Sequence, residues 1–186
     1  MDKQELRLEA AARRRAMSVR DRQQAAEAIA AHVLAQPIVA RAARIAAYVS
    51  MASEPGTKAT IAGLLDRGVE VIVPISLEGG QLDWVIYSSG TPQHRTALGM
   101  AEPEGERLGP AALASADFIL VPALAVDVEG NRLGRGAGYY DRALAAAKAP
   151  LCALLFAGEI IDALPHEDHD VPMNMVVAPT GVFRVP

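Results

Sequence analysis

Residues 118–126 (FILVPALAV) are apolar at every position. A strand with one wet face alternates apolar and polar side chains, so a run without alternation reads as a strand covered on both faces. Further strand-like runs occur at 44–50 (RIAAYVS), 70–75, 82–87, 151–157 and 175–178. Helical patterns separate them. One covers 2–16. A second opens on Ser18 and Asp21 as a capping-box pattern, repeats Ala26, Ile29, Ala30 and Val33, and closes at Pro37. A third covers 57–67, with Thr57 as N-cap, Ile61, Leu64 and Leu65 on one face, and Gly68 as its stop. A fourth covers 139–148. Strands alternating with helices predict an α/β fold: three layers around a doubly wound, mostly parallel, Rossmann-like sheet, preceded by an N-terminal helical pair.

The 186 residues fit one domain, 1–186, and aromatics at 4% leave a core built from Ala, Val, Ile and Leu. A net charge of −4 argues against nucleic acid or a membrane surface as partner. The one cysteine, Cys152, lies in an apolar run and reads as a small buried residue rather than a nucleophile. With no apolar leader and no run long enough to span a bilayer, a cytoplasmic protein is expected. Without an exposed apolar stripe, so is a monomer.

Chemistry concentrates in Asn131-Arg132-Leu133-Gly134-Arg135-Gly136-Ala137-Gly138-Tyr139-Tyr140-Asp141-Arg142. Alternating glycines allow φ > 0 and close approach of the backbone to a ligand. Their N–H groups beside a helix start favour an anion, and arginines add bidentate bonds to phosphate or carboxylate. Asp141 supplies a carboxylate for the Mg²⁺ that accompanies a polyphosphate. The spacing is neither a Walker A loop nor a dinucleotide fingerprint. Ligands in such sheets bind beyond the carboxyl ends of the strands, which singles out the loops after 50, 75, 127 and 158. The polar loop 88–110 is long enough to be functional too. Arg13, Arg14 and Arg15 read as a solvated helix face. The segment 166–170 (HEDHD) reads as a polar loop rather than a transition-metal site.

The run Gly134 to Asp141 resembles the signature of the 5-formyltetrahydrofolate cyclo-ligase family. Other segments resemble that family in the same order: Lys3-Gln4-Glu5-Leu6-Arg7, Ser50-Met51-Ala52-Ser53-Glu54, Glu102-Pro103 and His169-Asp170-Val171-Pro172. The resemblance implies a reaction. ATP phosphorylates the formyl oxygen of 5-formyltetrahydrofolate, N10 closes onto the activated carbon, and phosphate leaves, giving 5,10-methenyltetrahydrofolate. Phosphoryl transfer of this kind needs positioning and charge neutralisation more than a covalent nucleophile.

By the same resemblance, Arg135 and Asp141 are catalytic. ATP is held by Lys3, Arg7, Arg132, Leu133, Gly134, Arg135, Gly136, Ala137, Gly138, Tyr139 and Tyr140. Folate meets Val49, Glu54, Arg135, Gly136, Ala137, Gly138 and Tyr139, with Tyr140 as a wall. Glu54 accepts from the pterin amino groups, and Asp141 with Asp170 holds Mg²⁺.

The chain departs from the family pattern at Ala137, where Gly or Lys is frequent, and at Leu98-Gly99-Met100, where an aromatic commonly covers the folate. It departs again at Asn174, where Asp is common. These departures leave a second reading, a catalytically weak relative that sequesters folate or nucleotide. A third reading is a sugar-phosphate or CoA-ester enzyme on a similar scaffold, which needs no ATP.

Overall fold

A computed structural model describes residues 2–95, 101–167 and 170–185. Helix α1 (Lys3–Ala16) begins at Asp2, whose carboxylate accepts from the N–H groups of Gln4 and Glu5, while the Glu5 side chain accepts from the Asp2 N–H. This is a complete capping box. Helix α2 (Val19–Leu34) starts at Ser18 as expected; Ser18 Oγ accepts from the Asp21 N–H at 3.1 Å and donates to the Asp21 carboxylate. It buries Ala25, Ile29, Ala30 and Val33.

Strand β1 (Arg44–Ala46) is shorter than the 44–50 expected. After it the Ala47 N–H still reaches the Ile72 carbonyl at 2.9 Å, and the chain then enters a loop pinned by Thr57. Thr57 does not cap the helix that follows with its side chain. Its Oγ1 donates to the Tyr48 carbonyl at 2.6 Å and accepts from the Ser50 N–H at 3.1 Å. Thr57 thus stands at the expected N-cap position, while its hydroxyl holds the loop instead of the helix end. Helix α3 (Lys58–Leu65) follows and is stopped by Gly68 at φ 75°.

Strand β2 (Glu70–Ser76) turns back into antiparallel β3 (Leu82–Tyr87). The segment 88–110 is more than a loop: β4 (Gln93–Arg95) and β5 (Ala101–Pro103) pair within it as antiparallel strands. The apolar run 118–126 is two strands, not one. Strand β6 (Phe118–Pro122) ends at a proline, which has no N–H for a ladder. After Ala123 and Leu124, β7 (Ala125–Asp127) joins a different, small sheet with β8 (Arg132–Leu133). Helix α4 (Tyr139–Leu144) and β9 (Leu151–Leu154) are shorter than expected. Strand β10 (Ile160–Ile161) completes the small sheet. Strand β11 (Met175–Ala178) pairs with an antiparallel edge strand, β12 (Gly181–Arg184), that the sequence reading omitted.

The large sheet runs β12-β11-β9-β6-β1-β2-β3, parallel from β11 to β2 with an antiparallel strand on each edge. Alternate residues serve opposite faces, as a doubly covered sheet requires. Ile45, Val71, Val73, Phe118, Leu120, Cys152 and Leu154 pack with Ile29 and Val33 of α2 and Ile61 and Leu64 of α3. Ala46, Ile72, Ile119, Val121, Leu151 and Ala153 pack on the other side with Trp84, Leu113 and Leu144. A third cluster joins Leu6 and Ala10 of α1 to Leu124, Ala125 and Leu133. That cluster sets α1 beside the small sheet and the glycine loop leaving it. No helix among the described residues is long and apolar enough to cross a membrane.

Arg14 overturns the reading of a solvated Arg13–Arg15 face. It is 2% exposed, holds both Glu159 carboxylate oxygens at 2.7 Å, donates to the Ala123 carbonyl at 2.7 Å, and lies over the Phe156 ring. A run of like charges hid it, because α1 turns one of the three arginines inward.

Candidate active site

A cavity of about 330 Å³ opens beyond the carboxyl ends of β1, β2 and β6. Tyr48, Val49, Met51 and Glu54 after β1, Pro74 and Ser76 on β2, and Pro122, Ala123 and Leu124 at the end of β6 form one side. Arg132 and the loop from Gly134 to Asp141 form the other. The sheet thus brings together two segments that lie far apart in the chain.

Asp127 shapes the turn that delivers the glycine loop. Its buried carboxylate accepts from the N–H groups of Glu129, Asn131 and Leu164 and from the Asn131 side chain, at 2.8 to 3.0 Å. Arg7 braces the loop from α1, its Nε donating to the Gly134 carbonyl at 3.0 Å. Gly136 (φ 96°) lies so close to Arg7 that a Cβ would stand 3.2 Å from the guanidinium carbon. Gly138 (φ 72°) turns the chain into α4 in the left-handed region. Arg142 ties the loop to the β2–β3 turn, donating to Gly80 at 2.8 Å and to Ala137 at 3.2 Å.

Across the cavity, Glu54 is 8% exposed. Its Oε2 accepts from the Met51 N–H at 2.8 Å, and its Oε1 accepts from Arg135 Nε at 3.1 Å. Arg135 also donates to Ser53 Oγ at 2.9 Å. Asp141 pairs with the buried Arg132, which holds the Pro122 carbonyl at 3.2 Å and lies over the Tyr140 ring. Tyr48 and Tyr140 both line the cavity, and their hydroxyls have no hydrogen-bond partner among the described residues. Burial, and then the Glu54 carboxylate, push both phenols above their ordinary 10.0, so both stay neutral donors.

Val49, Glu54, Arg132, Gly134 to Asp141 and Tyr48 therefore share one wall system. Leu133 points instead into the small core against α1. Lys3 sits one helical turn from Arg7 and reaches Asp170 at 3.1 Å and Glu167 at 3.7 Å. The two expected metal carboxylates thus have different cationic partners, Arg132 for Asp141 and Lys3 for Asp170. Among the described residues no group of three or more His, Cys, Asp and Glu side chains is arranged to hold a metal ion by itself. His169 and the segment Leu98-Gly99-Met100 lie outside the described residues. Asn174 serves the sheet: its side-chain oxygen accepts from the Leu151 N–H at 2.8 Å.

Glu102 belongs to the cavity although sequence reasoning gave it no role. It is 8% exposed, and Oε1 accepts from the Ser76 N–H at 2.8 Å. Its Oε2 lies 3.8 Å from His94 Nε2. The Glu-Pro pair was visible, but only the β4–β5 hairpin carries it to the cavity.

Fold and site define a class: an α/β domain whose sheet end opposes a buried carboxylate to a glycine- and arginine-rich loop across one cavity. The model of the 5-formyltetrahydrofolate cyclo-ligase family matches residues 1–179, and the chain belongs to that family. The 5-formyltetrahydrofolate cyclo-ligase of Mycolicibacterium smegmatis is 42% identical over 142 residues, 73% of each chain. That of Escherichia coli is 28% identical over 177 residues, 92% of this chain and 97% of its own. The solution structure of Aquifex aeolicus 5,10-methenyltetrahydrofolate synthetase superposes with a TM-score of 0.86 at 30% identity, covering 100% of this chain and 93% of that one.

Proposed function

We propose that this chain cyclises 5-formyltetrahydrofolate to 5,10-methenyltetrahydrofolate at the expense of ATP. One observation carries the reading: in a chain of this family, Glu54 and the Gly134–Asp141 loop face each other across a single cavity. A buried carboxylate in the loop after β1 suits the adjacent N–H donors of a pterin edge. The apolar walls from Val49, Met51, Pro74, Leu82 and Pro122 suit its ring faces. The glycine loop suits a polyphosphate.

In this reading the loop N–H groups and Arg135 bind the phosphates and neutralise charge that grows as the phosphoryl group passes to the formyl oxygen. Arg7 and Arg142 keep the loop in shape, and Lys3 extends the basic side of the site. The formyl oxygen forms a bond to phosphorus as ADP leaves. N10 then bonds to the activated carbon and loses its proton, and the oxygen departs with phosphate. Asp141 fits a magnesium ion: it is 37% exposed on the cavity wall, and Mg²⁺ is usually held by one or two carboxylates with phosphate oxygens and water. Asp170 is the second carboxylate proposed for it. When bound, the ion screens the phosphate charge. We take the protein to act as a cytoplasmic monomer of one domain.

The test is to mix purified protein with 5-formyltetrahydrofolate and MgATP and follow methenyl product by absorbance. Product that requires both ATP and Mg²⁺ is expected. Folate binding without product would leave a sequestering relative in its place. Phosphate-ester binding without folate binding would leave the third class.

A further inference from the structure

We infer that Arg14 and Arg22, from the two N-terminal helices, form a clamp that positions Glu54; the inference rests on Glu54 being a substrate contact. Arg22 Nη1 donates to the Ala52 carbonyl at 3.0 Å, and Arg14 Nη1 donates to the Ser53 carbonyl at 3.4 Å. These are consecutive carbonyls, and Glu54 is the next residue. On its other side the turn closes on itself. The Glu54 N–H donates to the Met51 carbonyl at 3.0 Å, and the Met51 N–H donates to Glu54 Oε2 at 2.8 Å. The turn therefore presents carbonyls to the helices and a carboxylate to the cavity.

The clamp is itself anchored. Arg22 also donates to the Arg14 carbonyl, which joins the two helices. Arg14 is fixed by both oxygens of Glu159 and by the Ala123 carbonyl, and Ala123 lines the same cavity. Ser53 links this anchor to the glycine loop, because its carbonyl meets Arg14 while its hydroxyl meets Arg135. Loop residues aim a carboxylate well only when their backbone is held, and bonds from charged donors are the stronger kind. Arg14 and Arg22 are positioning residues here, acting on substrate through Glu54.

The test uses Arg22→Gln, the double variant Arg14→Met/Glu159→Leu, and Glu54→Gln. The double variant replaces a buried ion pair by apolar side chains of similar size, which proteins tolerate better than removal of one partner. Steady-state constants for both substrates, urea denaturation and amide exchange at Met51 are measured on each. Arg22→Gln is expected to raise the KM for 5-formyltetrahydrofolate about fivefold, the effect of one hydrogen bond, with the KM for ATP unchanged. Exchange at Met51 accelerates. In the Glu54→Gln background Arg22→Gln adds little, since coupled residues are not additive. The double variant moves the same constant in the same direction. The inference is overturned if both KM values move together with lost stability. It is also overturned if Glu54→Gln raises the folate KM while the clamp variants leave it alone. If Glu54→Gln leaves the folate KM unchanged, the substrate reading of Glu54 fails and the clamp's role in binding falls with it.

Discussion

Arg135 Nε lies 3.1 Å from Glu54 Oε1, so the glycine-loop arginine and the carboxylate of the loop after β1 neutralise each other across the cavity. Under the proposed function, a polyphosphate in the glycine loop would compete with Glu54 for Arg135, and a pterin edge would compete with Arg135 for Glu54. Binding of either ligand would then loosen the pair. Arg135→Ala is expected to lower kcat by about 100-fold or more, the usual scale for removing a preorganised group that meets transition-state charge. Glu54→Gln should raise the folate KM more than the ATP KM. Full turnover in Arg135→Ala, with the urea midpoint unchanged, would remove Arg135 from the mechanism.

Asp141 holds Arg132 and faces the cavity, so under the proposed magnesium role its loss would act on metal binding and on the loop together. Asp141→Asn should lower turnover and raise the Mg²⁺ concentration needed for half activity. A magnesium dependence identical to that of the parent protein would contradict a metal role and leave only the Arg132 contact.

Arg14 and Glu159 form a buried ion pair, with side chains 2% and 3% exposed. Removing one partner strands the other charge away from water. Arg14→Ala or Glu159→Ala should each cost about 3–5 kcal/mol by urea denaturation. A cost under about 1 kcal/mol, the usual value of a surface pair, would mean that water reaches the site.

The same arginine marks where sequence reasoning stops. The sheet was legible because its strands are apolar on both faces, and alternate residues of β1, β2, β6 and β9 do feed two cores. The glycine loop was legible because local composition and local chemistry coincide there. Arg14 was not, since nothing within its own helix distinguishes it from Arg13 and Arg15; its partners at 53, 123 and 159 are long-range. Glu102 was seen as part of a motif yet not as cavity wall, because three-residue strands carry too little periodicity to predict the β4–β5 hairpin. Uninterrupted hydrophobicity concealed the split of 118–126, because both strands and the link between them are apolar and only Pro122 marks the end of β6.

Gly136 combines φ 96° with a tight neighbour, the Arg7 guanidinium carbon 3.2 Å from where its Cβ would stand. Gly136→Ala should cost about 1–3 kcal/mol from backbone strain alone. Because Arg7 also has to give way, the glycine loop shifts, and the KM for ATP should rise more than that for folate. An ATP KM equal to the parent's would show that the loop does not need this geometry to bind nucleotide.

Alkaline pH tests the buried acids of the core. Burial raises the Cys152 thiol from its ordinary 9.0, and burial followed by Glu54 raises Tyr48 and Tyr140 from 10.0. Above these ordinary values the unfolded chain releases protons that the folded chain keeps. The stability these groups contribute is intact below them and is lost as pH climbs toward the folded values. Each group costs up to about 1.4 kcal/mol per pH unit beyond its unfolded value. Stability should therefore start to fall near pH 9.0, where the thiol begins, and more steeply near 10.0. Cys152→Ala should move the onset toward the tyrosine value. Urea midpoints across this range, read beside tyrosinate absorbance, decide it. Native tyrosinate absorbance complete near 10.0 for all four tyrosines would mean that Tyr48 and Tyr140 meet solvent, and the buried-phenol wall of the cavity would be wrong.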